Sequence, residues 1–332
     1  MNSFLKNNKQ EVLLAIVLLI AFVFRFFNYF EIPYTWDELS ALERLQFDSI
    51  RDLIEYGVKP DGHPALIQVF LYYWTAIFGT SEWIVKLPFN LMGFASVYIF
   101  YRIGSIWFDK NVGLMTSSFI ASVQIFVFYS SIARPYSSGL FLCAMMVLFW
   151  SLYLFKGFKR KHLLFFVLFA ALCAYNHHFS LLFAAIVGFS GLIFLPKNKL
   201  LEYFFSGLLI FALYAPHLGI FWHQLGIGGI GGEGGYLGKP TPQFFEEFFY
   251  WLVHYSPFYL AVFILLWFSS LSNAWRYQLS FETLKKRLIL LVWFFLPLVI
   301  GYYYSVEYNP VLQFSILIFT TPFIFLFLSS GL

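Results

Sequence analysis

Long apolar runs separated by short polar connections dominate the chain. At the length a helix needs to cross the hydrocarbon layer of a bilayer, they predict about ten spans of roughly 13–24 residues. The spans run Val12–Tyr29, Ile84–Trp107, Val112–Ser130, Tyr136–Phe155, Leu163–Tyr175, Phe179–Leu195, Tyr203–Trp222, Phe249–Ser269, Leu288–Tyr304 and Val311–Leu328. Asn176-His177-His178 interrupts the stretch Leu163–Leu195, which reads best as two short spans joined by a turn. The pattern is that of an all-α polytopic membrane protein, a single transmembrane domain over residues 1–332. The chain stops at Leu332 just after an apolar run, with no polar tail, so a natural end and a truncation both stay open.

The run Ala65–Phe78, opened by His63-Pro64 and closed by Gly79, is short for a span and suits an interfacial helix. Charge decides its placement. If it does not cross, Lys6 and Lys9, Lys110, Lys156/Lys159/Arg160/Lys161, Lys197/Lys199 and Arg276/Lys285/Lys286/Arg287 share one side. By the positive-inside rule that side is the cytoplasm. If it crosses, the Lys156–Lys161 cluster falls outside. The run is therefore expected along the outer face, within a first outer loop of about residues 31–83.

Composition agrees. Hydrophobic residues make up 60% of the chain and charged residues 11%, against about 25% charged in a soluble domain. That deficit needs a lipid-facing surface; the bilayer, not a nucleic acid, is the partner it asks for. Cys143 and Cys173 lie in apolar runs and suggest neither a disulfide framework nor a thiolate metal site. The first apolar run lacks a small-residue cleavage site and reads as a retained span.

All the residues with chemical potential fall on the outer side. Thr35-Trp36-Asp37-Glu38 follows the first span. Thr35 and Glu38 have the spacing of a capping box, while a carboxylate there suits a general base at the membrane surface. His63 in Gly62-His63-Pro64 is a cap, an interfacial residue, or a phosphate or metal contact. Arg134, before Pro135-Tyr136, breaks the charge trend; it either snorkels to headgroups or grips a phosphate with its planar fork. Arg25, near the outer end of the first span, is expected to snorkel. His177 and His178 form a polar turn or a functional pair at a span end; adjacent histidines on a regular helix cannot face one metal. The glycine-rich stretch Leu225–Gly238, in an outer loop of about residues 223–248, lacks the strand and Lys-Ser/Thr of a phosphate-binding loop and reads as a mobile outer loop. Whether a divalent metal takes part is unknown from the sequence, and no cofactor is specified.

Carboxylates, histidines and an arginine at the outer mouth of a helical bundle suit transfer from a lipid phosphate. The acceptor hydroxyl needs a base; the departing phosphate needs positive charge or hydrogen bonds more than a proton. The ordered set Trp36-Asp37-Glu38, His63-Pro64, Lys86-Leu87-Pro88, Ser131-Ile132-Ala133-Arg134-Pro135-Tyr136 and Asn176-His177-His178-Phe179 resembles the GT-C glycosyltransferases, in particular the protein O-mannosyltransferase and aminoarabinose-transferase-like group. The resemblance covers most of Met1 to about Leu200 and continues more weakly to Leu332. It implies an inverting transfer from a polyprenyl- or dolichyl-phosphate sugar to a glycan, lipid or protein acceptor, at the outer face of a bacterial cytoplasmic membrane. In that resemblance Asp37 is the base and Glu38 orients the acceptor or supports Asp37. His63, Arg134, Tyr136, His177 and His178 lie around the donor. The sequence departs from the family at Ala65, where a second proline is common, and at Arg134, where some members carry an acid.

Two other classes compete. A transporter or flippase of a lipid-linked or small anionic solute would place charges at mid-span, where this chain has almost none. A membrane acyltransferase would need an intramembrane histidine with a partner, which His162, His217 and His254 do not offer by position.

Overall fold

The computed structural model describes residues 9–226, 237–276 and 279–331. Lys6, residues 227–236 of the glycine-rich stretch, the Arg276 side chain and Leu332 lie outside the described residues. The described residues form helices α1 Lys9–Phe26, α2 Trp36–Glu43, α3 Ala65–Phe78, α4 Glu82–Trp107, α5 Lys110–Ser122, α6 Pro135–Phe155 and α7 Arg160–Asn176. They continue as α8 His178–Ser190, α9 Leu200–Tyr214, α10 Leu218–Gly226, α11 Gln243–Leu252, α12 Pro257–Arg276, α13 Phe281–Glu307 and α14 Thr321–Ser329. Among the described residues there is no strand.

Among the described residues, five helical stretches are long and apolar enough to cross a membrane: Lys9–Glu31, Glu82–Trp107, Pro135–Phe155, Lys197–Gly226 and Phe281–Glu307. Two bent pairs raise this to seven if each counts as one span. Lys110–Ser122 turns by 64° into Gln124–Ser131, and Gln243–Leu252 by 99° into Pro257–Asn273. The expected span Phe249–Ser269 is therefore divided at residues 253–256, where His254 and Tyr255 take positive φ before Pro257. The expected Val311–Leu328 is no single helix either. Residues 309–314 are irregular, Ser315–Phe319 is a 3₁₀ turn, and Pro322 opens the last helix at α14. The break expected within Leu163–Leu195 is present, with His177 alone joining α7 to α8.

α6 lies at the centre. It carries no charged side chain and is buried on most sides, as an all-round apolar helix must be. α1, α9 and α12 keep large apolar side chains uncovered, including Leu19, Phe204, Phe211, Leu265 and Phe268, which is the surface lipid would contact. α4 and α5 approach at Gly104 and Gly113, where an added Cβ on Gly104 would lie 2.7 Å from the Gly113 Cα. Pro88 inside α4 cannot donate to the Ile84 carbonyl, and the indole N–H of Trp74 donates there instead at 3.0 Å, tying α3 to α4.

Arg25 does not snorkel. It is 2% exposed and donates to the carbonyls of Ile120, Ala121 and Phe126 around the bend after α5, as well as to Ala21. The bend frees carbonyls that a snorkelling arginine would have left unpaired in an apolar setting.

Candidate functional site

α2 starts with the expected capping box. Thr35 Oγ1 accepts the Glu38 N–H at 3.3 Å, and Glu38 Oε2 accepts the Thr35 N–H at 2.8 Å. The cap is thus made by Thr35 and Glu38, and Asp37 takes no part in it. The Asp37 carboxylate instead receives the phenol O–H of Tyr136 at 3.2 Å and borders a cavity of about 480 Å³.

Glu38, expected as a catalytic partner of Asp37, is not in that cavity. It is 1% exposed, and its carboxylate accepts from Lys86 Nζ at 2.7 and 2.8 Å and from the Ala133 N–H at 2.7 Å. Lys86 spends its remaining donor on the Ser131 carbonyl at 3.0 Å. Together they fasten the start of α2 to α4 and to the segment before α6. Glu38 can support Asp37, but it has no oxygen to offer an acceptor.

His63, Tyr136, His177, His178 and Gln224 share the cavity with Asp37. Arg134 sits behind His63, 4% exposed, with Nη2 3.0 Å from His63 Nδ1 and 4.0 Å from Asp61 Oδ2. Asp61 also meets Arg44 at 3.2 Å and the Gly62 N–H at 2.8 Å. Burial acts to raise the Asp61 carboxyl, but His63, Arg134 and Arg44 outweigh it and hold the group well below its ordinary range.

The two histidines of the turn divide their work. Asn176 anchors it, donating to the Pro135 carbonyl at 2.9 Å and accepting from Ser138 at 2.7 Å. His177 then caps α8 by accepting the Phe179 N–H on Nδ1 at 3.0 Å, which leaves its proton on Nε2. Burial, then the neighbouring His63, His178 and Arg134, hold His177 well below the usual imidazole range. His178 Nε2 lies 3.0 Å from Gln224 Oε1. Because the Gln224 amide donates to the carbonyls of Val58 and His63 at 3.0 and 2.8 Å, its oxygen must face His178, and His178 Nε2 must donate. His217, set aside from sequence, accepts the Ala65 N–H on Nε2 at 3.1 Å, satisfying a first-turn donor of α3 that its N-cap Pro64 cannot.

The other walls are apolar, from Phe179, Leu182 and Ala185 of α8 and Ile300 of α13. Gly301 belongs there by necessity: a Cβ on it would stand 2.8 Å from the Phe179 ring. No local pattern marks Gln224, Asn309 or Gln313, which also line the cavity. For Asp61 the only signal was its place two residues before His63. Among the described residues no three His, Cys, Asp or Glu side chains converge as a metal site.

Residues 62–220 match the family model described as dolichyl-phosphate-mannose-protein mannosyltransferase. The match takes in His63, Arg134, His177 and His178 and begins after Asp37. Among solved structures, the chain is similar to the oligosaccharyltransferase of Archaeoglobus fulgidus in its apo form, at TM-score 0.53 and 14% identity, covering 98% of this chain and 51% of that one. The same enzyme tethered through a disulfide to an acceptor peptide containing an NVT sequon gives TM-score 0.52 and 14% identity, covering 98% and 50%. The chain thus spans about half the length of the enzyme it matches. No curated protein matches it significantly. The chain is a multi-pass membrane protein with the GT-C glycosyltransferase fold, and its residues 62–220 carry the likeness to the dolichyl-phosphate-mannose-protein mannosyltransferases.

Proposed function

We propose that the chain is an inverting glycosyltransferase that moves a sugar from a polyprenyl-phosphate carrier to an acceptor hydroxyl at the outer membrane face. The observation that carries this reading is one cavity bordered by an Asp37 free of capping duty and by His63, His177 and His178, with apolar walls beyond them. Asp37, steadied by the Tyr136 hydroxyl, takes the acceptor proton. His63, with Arg134 behind it, and His178 face the departing phosphate. The apolar walls of α8 and α13 suit a prenyl chain. In an inverting displacement the acceptor oxygen, deprotonated by the base, attacks from the side of the sugar opposite the phosphate, so one carboxylate suffices and a nucleophilic second one is not needed. This fits a Glu38 already consumed by Lys86.

The acceptor is a glycan, lipid or protein presented from the aqueous side, and a bacterial cytoplasmic membrane is the setting that matches the charge pattern. The test is transfer of labelled sugar from synthetic polyprenyl-phosphate hexoses and pentoses by the protein in liposomes, with and without Asp37→Asn. Transfer by the wild type and none by the variant is expected. Equal transfer by both would remove Asp37 from the mechanism.

A further inference from the structure

His63 Nδ1 faces two groups with opposite demands. Arg134 Nη2, 3.0 Å away, only donates, so that contact needs a bare lone pair on the nitrogen. The Asp61 oxygens, at 3.3 and 3.4 Å, accept when ionised, so that contact needs an N–H. One nitrogen cannot serve both. The Arg134 contact is the shorter and sets the resting state, with Nδ1 bare and the ring proton on Nε2. Asp61 meanwhile stands as a ready acceptor, held ionised by Arg44 and by the Gly62 N–H.

Resting on the lipid-phosphate reading of the cavity, we propose that Asp61 is the counter-ion of a proton-coupled clamp in which donor binding makes His63 cationic. An incoming phosphodiester accepts the Arg134 N–H that His63 had been accepting. His63 Nδ1 then takes up one proton from solvent, keeps it as an N–H, and donates that N–H as a hydrogen bond to the Asp61 carboxylate. The balance is simple: one hydrogen bond moves from nitrogen to phosphate oxygen, one N–H forms, and the proton comes from solvent. The ring keeps its Nε2–H, and the cavity gains one positive charge against the single negative charge of the diester.

The surroundings permit this. The groups facing His63 are Asp61 on its own turn, Arg134 before α6, Arg44 beyond Asp61, His177 with its ring centre 5.3 Å away, and His178 on α8. His177 is kept neutral by burial and by its cap, so it adds no opposing charge. Asp61 acts through His63 and is a positioning residue, not a catalytic one.

Farnesyl methyl phosphodiester is the probe: it keeps one charge at neutral pH and has no glycosidic bond. Its binding to the full chain in nanodiscs is measured by titration calorimetry at pH 7.5 in buffers of differing ionisation heat. Uptake approaching one proton per ligand is expected, with affinity falling by up to about tenfold per pH unit above this. Asp61→Asn should bind with no uptake and a flat pH profile, and Asp61→Glu should restore both. Wild-type binding without uptake, or uptake that survives Asp61→Asn, overturns the inference and leaves the donor reading standing. No binding by the wild type overturns the donor reading and this inference with it. The wild-type measurement stands even if Asp61→Asn does not fold.

Discussion

Lys86 Nζ lies 2.7 Å from Glu38 Oε2, and neither side chain has any exposed surface. A buried pair of this kind is costly to form but far costlier to halve. Lys86→Met strands an ionised carboxylate in the interior and should destabilise the protein by about 3–5 kcal/mol. The double variant Lys86→Met with Glu38→Gln should recover most of that loss. Thermal unfolding in detergent measures both, and a double variant as unstable as the single one would contradict the pairing.

Asp37→Asn preserves the shape of the side chain and its bond from Tyr136 but removes the basic oxygen. Sugar transfer should fall about 10²–10⁴-fold. Binding of a polyprenyl phosphodiester should stay near wild type. Because the capping bonds belong to Thr35 and Glu38, loss of helix structure cannot explain such a fall. A variant with normal turnover would end the assignment.

Arg134→Lys retains the charge and loses the fork. One guanidinium nitrogen now reaches His63 Nδ1 and approaches Asp61, and an ammonium on a shorter, flexible stem cannot reproduce that span. Donor affinity should drop roughly ten- to hundredfold, the worth of a charge-assisted hydrogen bond. Titration of lipid phosphodiester against both proteins reads it directly, and unchanged affinity would place the phosphate elsewhere.

His177 favours its neutral form in the folded protein. Its folded value is depressed below 6.5, so below pH 6.5 the unfolded chain binds a proton that the folded chain does not. Stability from this group is present above that pH and is lost as pH falls beneath it. His177→Asn keeps a side chain able to cap α8 and removes the titration. The variant should therefore lose less thermal stability than the wild type between pH 6.5 and 5. An identical slope would show that other groups carry the acid sensitivity.

The run Ala65–Phe78 is expected to lie along the outer face. Single cysteines at Glu55 and at Gly79, which flank α3, should then react with membrane-impermeant maleimide from the same side. Labelling of the two from opposite sides would fit a crossing α3 and would separate the charged clusters from the proposed site.

Periodic and local information in the sequence carried far. The cap at Thr35, the limits of α3 and the break before His178 each follow from residues within a turn of one another. What escaped depends on distant partners. Arg25 looked like a surface residue because the carbonyls it satisfies are freed by a bend almost a hundred positions later. Glu38 looked catalytic because nothing near it in the chain announces Lys86. His217 looked idle, and nothing local marked Gln224, because their partners lie at Ala65, Val58 and His63. The span boundaries near Pro257 and Pro310 were misplaced for a related reason: hydrophobicity runs on through a backbone that the prolines and neighbouring turns redirect.

The reach of Gln224 to the His63 carbonyl, across 161 positions, also sets an order of assembly. A chain emerging from its N-terminus can close the Glu38, Lys86 and Ala133 contacts as soon as residue 133 has been inserted. The wall around His63 must wait for α10, some ninety residues later. A nascent protein would therefore carry a seated Asp37 well before the opposite side of its cavity exists, and the two halves of the site would mature as separate events during insertion.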